Sequence, residues 1–432
     1  MLTVPSITPL STTPNIQVLD AMMGAGKTTY IFDEIQRRSL SEVDTRFLYV
    51  SPLLSETGNP DALNDDPEEQ EKLRQGRIHS ACPAANFRGP ESRPNKRESL
   101  KRLLASGVNV ACTHALYCMI DDETSALIRD HGYEVIIDEA LDVVQNFKEL
   151  QLHDVAFLSP LIEVDPETHL VKWTALIGDK SKYSGIKKMC EDGLLYHFHG
   201  KFWVYELPLS LFTHPKKTTI CTYMFGASIL HSYLLKHDIP FEYIDNERIG
   251  FRPEADLLAE AKELITLVDN SSVQKLSKFS MTKTGYGTLH ELDFKKIKGI
   301  LAMLVQRHLG AKSRDILWTC FKDHREKLKG RGYTRGFLSF NTRATNAHRK
   351  RSVGIYLVDR HPHAMISAFL RDAGAPINSE MYGLSEMIQW VWRLRIRDDK
   401  DIRLVIPSKR MKALLVRWLD GEFIREDIDQ AA

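Results

Sequence analysis

Ala21-Met-Met-Gly-Ala-Gly-Lys-Thr-Thr29 decides the reading of this chain. A short apolar run, Ile16-Gln-Val-Leu19, precedes it and an amphipathic stretch, Thr28–Arg38, follows, so the order is strand, glycine turn, helix. Gly24 and Gly26 let backbone N–H groups turn inward and approach an anion with no Cβ in the way. Lys27 supplies a point charge for β- and γ-phosphates, and the Thr28 hydroxyl suits Mg²⁺. The helix that starts here points its positive end at the same place. Met23, Gly24, Ala25, Gly26, Lys27, Thr28 and Thr29 are therefore the expected ATP-binding residues. A glycine turn alone is a weak signal; the strand before it, the helix after it and the closing Lys-Thr make it specific.

The second anchor is Val135-Ile-Ile-Asp-Glu-Ala140, whose Asp138 lies 111 residues beyond Lys27. An apolar β run lifts Asp138 to the carboxyl end of a buried strand, where open parallel sheets bind ligands. Asp138 is the expected second holder of Mg²⁺, and Glu139 the group that orients and deprotonates an attacking water. A lone Asp-Glu pair is often only a strand end; paired with the phosphate loop it points to nucleotide hydrolysis.

Outward from these anchors, residues 1–14 form a Ser/Thr/Pro-rich arm. Strands are expected at Phe47–Val50, Val108–Cys112, Glu134–Ile137 and Thr219–Met224, with helices at Ser99–Ala105 and Glu123–Asp130. Residues 56–75 read as an exposed acidic loop and short helix. Residues 141–215 break the rhythm as an inserted α+β segment, with a hairpin at Leu194–Tyr196 and Phe202–Tyr205. In it His197 and His199 share a strand face, better read as surface histidines than as a metal pair. The alternation then resumes: helices over 256–270 and 293–309, strands Ile316–Cys320, Gly354–Val358 and Arg403–Ile406, helices Leu384–Trp392 and Met411–Trp418. Strands alternating with helices imply parallel sheets with helices on both faces, here as two α/β lobes.

Composition limits the alternatives. The 432 residues are 43% hydrophobic and 27% charged, which fits globular domains. No run approaches the ~18 apolar residues of a membrane span, and no secretory leader is visible, so a soluble cytoplasmic protein without a membrane partner is expected. Six scattered cysteines, with no CxxC pair, fit neither a zinc site nor a disulfide framework and suit small buried hydrophobes. Net charge is +1, yet residues 301–432 hold 25 Lys and Arg against 15 Asp and Glu. So basic a third could attract a polyanion, although many solvated surfaces match it.

With these residues in hand, the chain resembles superfamily 2 helicases. Ala21–Thr28 looks like their motif I and Asp138-Glu139-Ala140 like their DExx motif II. Tyr49-Val-Ser-Pro52 resembles motif Ia, Ala111-Cys-Thr-His114 the Thr-bearing motif on the tracking strand, and Thr222-Tyr-Met-Phe225 a degraded motif III. The second half is similar to helicases of tailed bacteriophages and prophages, through Trp318–Lys322, Asn341–Asn346, Ser385–Arg397 and Ile406–Met411. The resemblance implies two RecA-like lobes: 15–225 carrying the insertion, 226–420, and an acidic tail at 421–432.

It further implies nucleic-acid contacts at Ser51, Pro52, Thr113, His114, Arg343, Thr345 and Asn346. Arg343-Ala-Thr-Asn346, a donor-rich set at a strand-to-helix turn, reads either as a coupling element between nucleotide and nucleic acid or as a helix N-cap with a surface arginine. Gln389, Arg393 and Arg397 would serve catalysis from the second lobe. The common pattern puts its arginine finger at the position of Ile396, so Arg393 or Arg397 must supply it, with Arg395 a third possibility. Alternatively the cluster is a solvated helix face. Trp390 and Trp392 could stack bases but more often such residues pack a core.

The function expected is an ATP-dependent helicase or translocase acting on nucleic acid, DNA rather than RNA, in phage replication or recombination. A replication or recombination protein is a possible partner, and the host cytoplasm the location if the chain is phage-encoded. The alternatives are a DNA-stimulated ATPase that remodels protein–DNA complexes without unwinding, and a P-loop kinase.

Overall fold

The computed structural model describes residues 15–42, 44–62, 67–148, 150, 152–175, 183–342 and 347–425. The N-terminal arm, the expected contacts Arg343, Thr345 and Asn346, and the tail beyond 425 lie outside the described residues. In chain order the strands are β1 (Ile16–Asp20), β2 (Arg46–Ser51), β3 (Val110–Thr113) and β4 (Tyr133–Asp138). The inserted segment gives β5 (Val144–Asn146), β6 (Ile162–Val164), β7 (Val171–Trp173), β8 (Leu195–Phe198) and β9 (Phe202–Glu206). Then come β10 (Lys217–Thr222), β11 (Phe241–Tyr243), β12 (Ile265–Leu267), β13 (Ile316–Thr319), β14 (Val353–Tyr356) and β15 (Ile402–Val405).

Among the described residues the first sheet runs β11-β1-β10-β4-β2-β3 and the second β12-β15-β14-β13, every pairing parallel. Parallel strands need crossovers, and helices supply them on both faces, so the central strands β2, β4 and β10 are buried on both sides. On one face of the first sheet Leu19, Phe47, Tyr49 and Ile136 pack on Ile31, Phe32 and Ile35 of the phosphate-loop helix, Lys27–Ser41. On the other, Val18, Leu48, Val50, Val135 and Ile137 pack on Leu100, Leu104 and Tyr233. The period of two fixes which neighbour goes to which face. Arg38 of the same helix grips Glu134 at the foot of β4 with two bonds of 2.7 and 2.8 Å, which ties the loop's helix to the carboxylate strand.

The expected fold class holds: two α/β lobes of the RecA-like kind, with an inserted α+β segment in the first. In it β5-β9-β8 and β6-β7 are antiparallel, and the hairpin β8–β9 stands where the sequence placed it. His199 falls in the hairpin turn with φ +50° rather than on the strand, while His197 stacks on Trp203 at 4.2 Å. No cluster of three or more His, Cys, Asp or Glu side chains suited to a metal occurs among the described residues. The first lobe does not end at 225: β11 pairs with β1, so its sheet takes in residues to Tyr243. Residues 421–425 are not a detached acidic tail, since Phe423 and Ile424 pack on the second lobe's core. No described helix is long and apolar enough to cross a membrane. Five of the cysteines are buried, and all six are free.

The lobes share core. Ile366, Phe369 and Leu370, from the second-lobe helix Ala364–Asp372, sit in the first lobe's cluster, where Phe369 meets Tyr196 and Phe198 of the inserted hairpin. At about 1.5–3 kcal/mol per buried side chain, lifting this helix off would cost roughly 5–9 kcal/mol.

Candidate active site

Three strand ends lie level at the carboxyl edge of the first sheet. β10 separates β1 from β4, with Leu19 opposite Cys221 and Cys221 opposite Asp138. Ala21 N–H donates to Thr222 O at 3.1 Å and Glu139 N–H to Cys221 O at 2.8 Å, stitching the phosphate loop and the carboxylates to the strand between them. Gly24 and Gly26 have φ +90° and +98°, left-handed values that glycine adopts freely, and an added Cβ at either would meet nothing within 4 Å. Gly26 caps the phosphate-loop helix, with Tyr30 N–H on its carbonyl at 2.9 Å. The Lys27 ammonium sits on the loop's own carbonyls, those of Ala21 and Met22, the second at 3.2 Å. A phosphate on the loop would compete for it. Met23, Ala25 and Thr28 are half-buried around this turn, and Thr29 is exposed.

Asp138 accepts from Tyr49 Oη at 3.2 Å and Ser51 Oγ at 3.3 Å. Burial, then the charges of Glu139 and Glu56, push its carboxyl up to about 7; Tyr49 and Lys27 pull the other way. Ser51 is wholly buried in this role. As a nucleic-acid contact it is withdrawn: period-two alternation puts its side chain on the inner face with Tyr49. Thr113 Oγ1 accepts the Leu116 N–H at 3.4 Å, capping a short helix, and His114 Nε2 lies 2.8 Å from the Asp138 carbonyl. His114 therefore braces the carboxylate strand, while Thr113 holds the turn that follows β3. Pro52 is half-buried beside them. Tyr49 and Glu56 were missed as site residues; alternation along Arg46–Ser51 could have found Tyr49, but nothing local marks Glu56.

Glu139 has φ +68°, a left-handed backbone rare for a side-chain-bearing residue and costing about 1–2 kcal/mol. The turn takes it off the strand line and into a cavity of about 50 Å³, shared with Thr222, Ser385, Glu386 and Gln389. That volume holds roughly one or two water molecules. Gln389 and Glu386 come from helix Ser379–Val391 of the second lobe, so the cavity lies between the lobes.

Just past that helix, Arg393 is largely buried, its Nε has no hydrogen-bond partner, and burial lowers its pKa while the charge of Glu139 raises it. Arg395 is committed to Asp401, at 2.6 Å to the carbonyl and 2.5 Å to the carboxylate, and Arg397 is exposed. Of the three, Arg393 is the largely buried one, with Glu139 among the charges that act on it. Trp390 is a core residue, bonding the Leu338 carbonyl at 3.1 Å, and Trp392 packs edge-on to Trp418. Neither offers a face to a base.

Asp138→Asn keeps the shape and removes a buried acid. Because the folded pKa is raised, the folded state holds the proton while the unfolded chain has lost it between about pH 4 and 7, so this group's stabilising contribution falls as pH rises through that window. The variant is expected to melt roughly 2–5 °C above the parent at pH 8 in chelator, with the gap closing toward pH 4. Calorimetric scans at both pH values check it; no gap at pH 8 would contradict the raised pKa.

Comparison with known proteins gives one family match and one full-length relative. Residues 259–419 match the family described as the YonV C-terminal Rossmann-like domain. The chain is 28% identical over 429 residues to the SPbeta prophage-derived uncharacterized protein YonV of Bacillus subtilis (strain 168), covering 94% of this chain and 99% of that one. Among solved structures it bears a weak likeness to the DUF1998 helicase MrfA bound to DNA and AMPPNP (TM-score 0.33, 11% identity) and bound to DNA (TM-score 0.30, 12% identity). It covers 48% and 46% of those chains, so it spans about half the length of the helicase.

Proposed function

We propose that this chain is an ATP hydrolase coupled to nucleic acid, a helicase or translocase acting on DNA in phage replication or recombination. The observation that carries the hydrolase reading is Arg393, a largely buried cation without a partner for its Nε, which the second lobe brings within electrostatic reach of Glu139 in the first. Gly24, Gly26 and Lys27 would seat the triphosphate, Thr28 and Asp138 would hold Mg²⁺, and Gln389 would line the water's position. Mg²⁺ takes one or two carboxylates plus phosphate oxygens and waters, so one acid and one hydroxyl fit it without a preformed cage. When bound it would neutralise charge on the phosphates. Glu139 would take the water's proton, and Arg393 would meet charge growing on the γ-phosphoryl oxygens. The basic C-terminal third supports a polyanion partner, and the prophage origin of the relative supports the phage setting.

ATP hydrolysis with no nucleic acid, single-stranded DNA, forked duplex DNA and RNA tests this. DNA stimulation that vanishes in Glu139→Gln is expected; turnover indifferent to every nucleic acid would sink the motor reading. Lys27→Ala should lower ATP affinity at least about tenfold, read by titration calorimetry, because the loop's only side-chain cation goes. The shared core at Ile366, Phe369 and Leu370 favours one second reading: an ATP-driven switch that remodels a protein–nucleic-acid complex without unwinding. A strand-displacement assay separates the two.

A further inference from the structure

A second cavity, of about 960 Å³, opens on the other side of the phosphate loop, above the ends of β10, β1 and β11. Asp20, Ala21, Met22 and Ala25 form one wall, so whatever fills it is continuous with the loop's anion site. Two of its lining residues carry buried acceptors without partners. Asp20 Oδ2 accepts the Phe225 N–H at 2.8 Å, while its Oδ1 has no hydrogen-bond partner. Asn246 donates through Nδ2 to the Asp20 carbonyl at 2.7 Å, which fixes its orientation, and its Oδ1 is likewise unpartnered. Phe241, Tyr243 and Phe251 give the same cavity aromatic walls.

We propose that this cavity takes the base of the nucleotide whose phosphates the loop holds, and that Asp20 and Asn246 select adenine through its exocyclic amine. The inference rests on the nucleotide-binding reading above and adds its specificity. The volume suits a nucleoside, and flat apolar walls suit a purine. Two acceptors match the two hydrogens of one amino group. Adenine is the only common base without a carbonyl oxygen, and a carbonyl beside these oxygens would be repelled. Burial raises the Asp20 carboxyl's pKa against the pull of the Phe225 and Met224 N–H groups and of Lys27 and Arg425, and donors on a base would offset the rest of that burial cost.

ITP differs from ATP by an oxygen in place of that amine. Displacement of a fluorescent ribose-labelled ADP by ATP, ITP, GTP and UTP reads the preference directly. The wild type is expected to bind ATP about 10- to 100-fold more tightly than ITP. In Asp20→Asn the amide oxygen must stay on the Phe225 N–H, so the amide nitrogen replaces Oδ1 and an acceptor becomes a donor. The preference should then narrow to within about threefold or reverse toward ITP, a change of sign that general loosening of the site does not give. Asn246→Leu should reduce it as well. ITP equal to ATP in the wild type, or an unchanged ratio in Asp20→Asn, overturns the inference and leaves the hydrolase reading standing. No binding of any nucleotide by the wild type overturns both.

Discussion

Glu139→Gln is expected to bind ATP and hold it uncleaved, with kcat lowered about 10²- to 10⁴-fold and affinity little changed. The substitution is isosteric, so the bond from its N–H to Cys221 O and the left-handed turn at φ +68° both persist. What goes is the basic oxygen at the edge of the water-sized cavity that Gln389 and Thr222 also line. An amide there can still orient a water but cannot take its proton. Single-turnover hydrolysis measured beside nucleotide titration separates the steps: binding intact with cleavage stalled supports the general-base role. Cleavage at the wild-type rate removes it.

The sequence made some of this legible for a physical reason. A phosphate loop needs its residues contiguous, so Gly24 to Thr28 are visible in one glance, and Asp138-Glu139 follow from one apolar run that must end at a sheet edge. An element buried on both faces, such as Ile316–Thr319, announces itself because a strand covered on both sides reads as a near-continuous apolar run. The three-residue β12 stayed hidden: Ile265–Leu267 continues directly from helix Glu254–Leu264, and a window of helical period swallows it. β11 is as short, which moved the apparent lobe boundary. The resemblance gives Ser51 a nucleic-acid contact because a motif position says which chemistry is near but not which face a side chain takes; the alternation Tyr49, Ser51 carries that information. The Asp20–Asn246 pair lies 226 residues apart in sequence and meets only through the pairing of β1 with β11, so no local pattern could display it.

Arg393→Met carries the other large effect, and it has two opposed parts. Turnover is expected to fall about 10³-fold or more, as when a charge-stabilising arginine is taken from phosphoryl transfer, with ATP affinity changing less than about tenfold. Stability should hold or rise, because the Glu139 left behind is half-exposed and water can solvate it, which is not so of the guanidinium. The guanidinium is buried, its Nε is unpartnered, and the favourable charge it meets is Glu139. Replacing such a group by an apolar chain of similar length removes a desolvation cost. A melting temperature that holds or rises while hydrolysis collapses is the signature of a residue kept for chemistry. The pairing can be isolated by a cycle: Glu139→Gln alone leaves Arg393 facing no charge and should lower the melting temperature, and adding Arg393→Met should restore it. Arg395→Ala, which breaks only the contact with Asp401, is expected to leave turnover within about twofold of wild type. If Arg395→Ala or Arg397→Ala cut turnover as deeply as Arg393→Met, the inward arginine would not be the one that meets the phosphate.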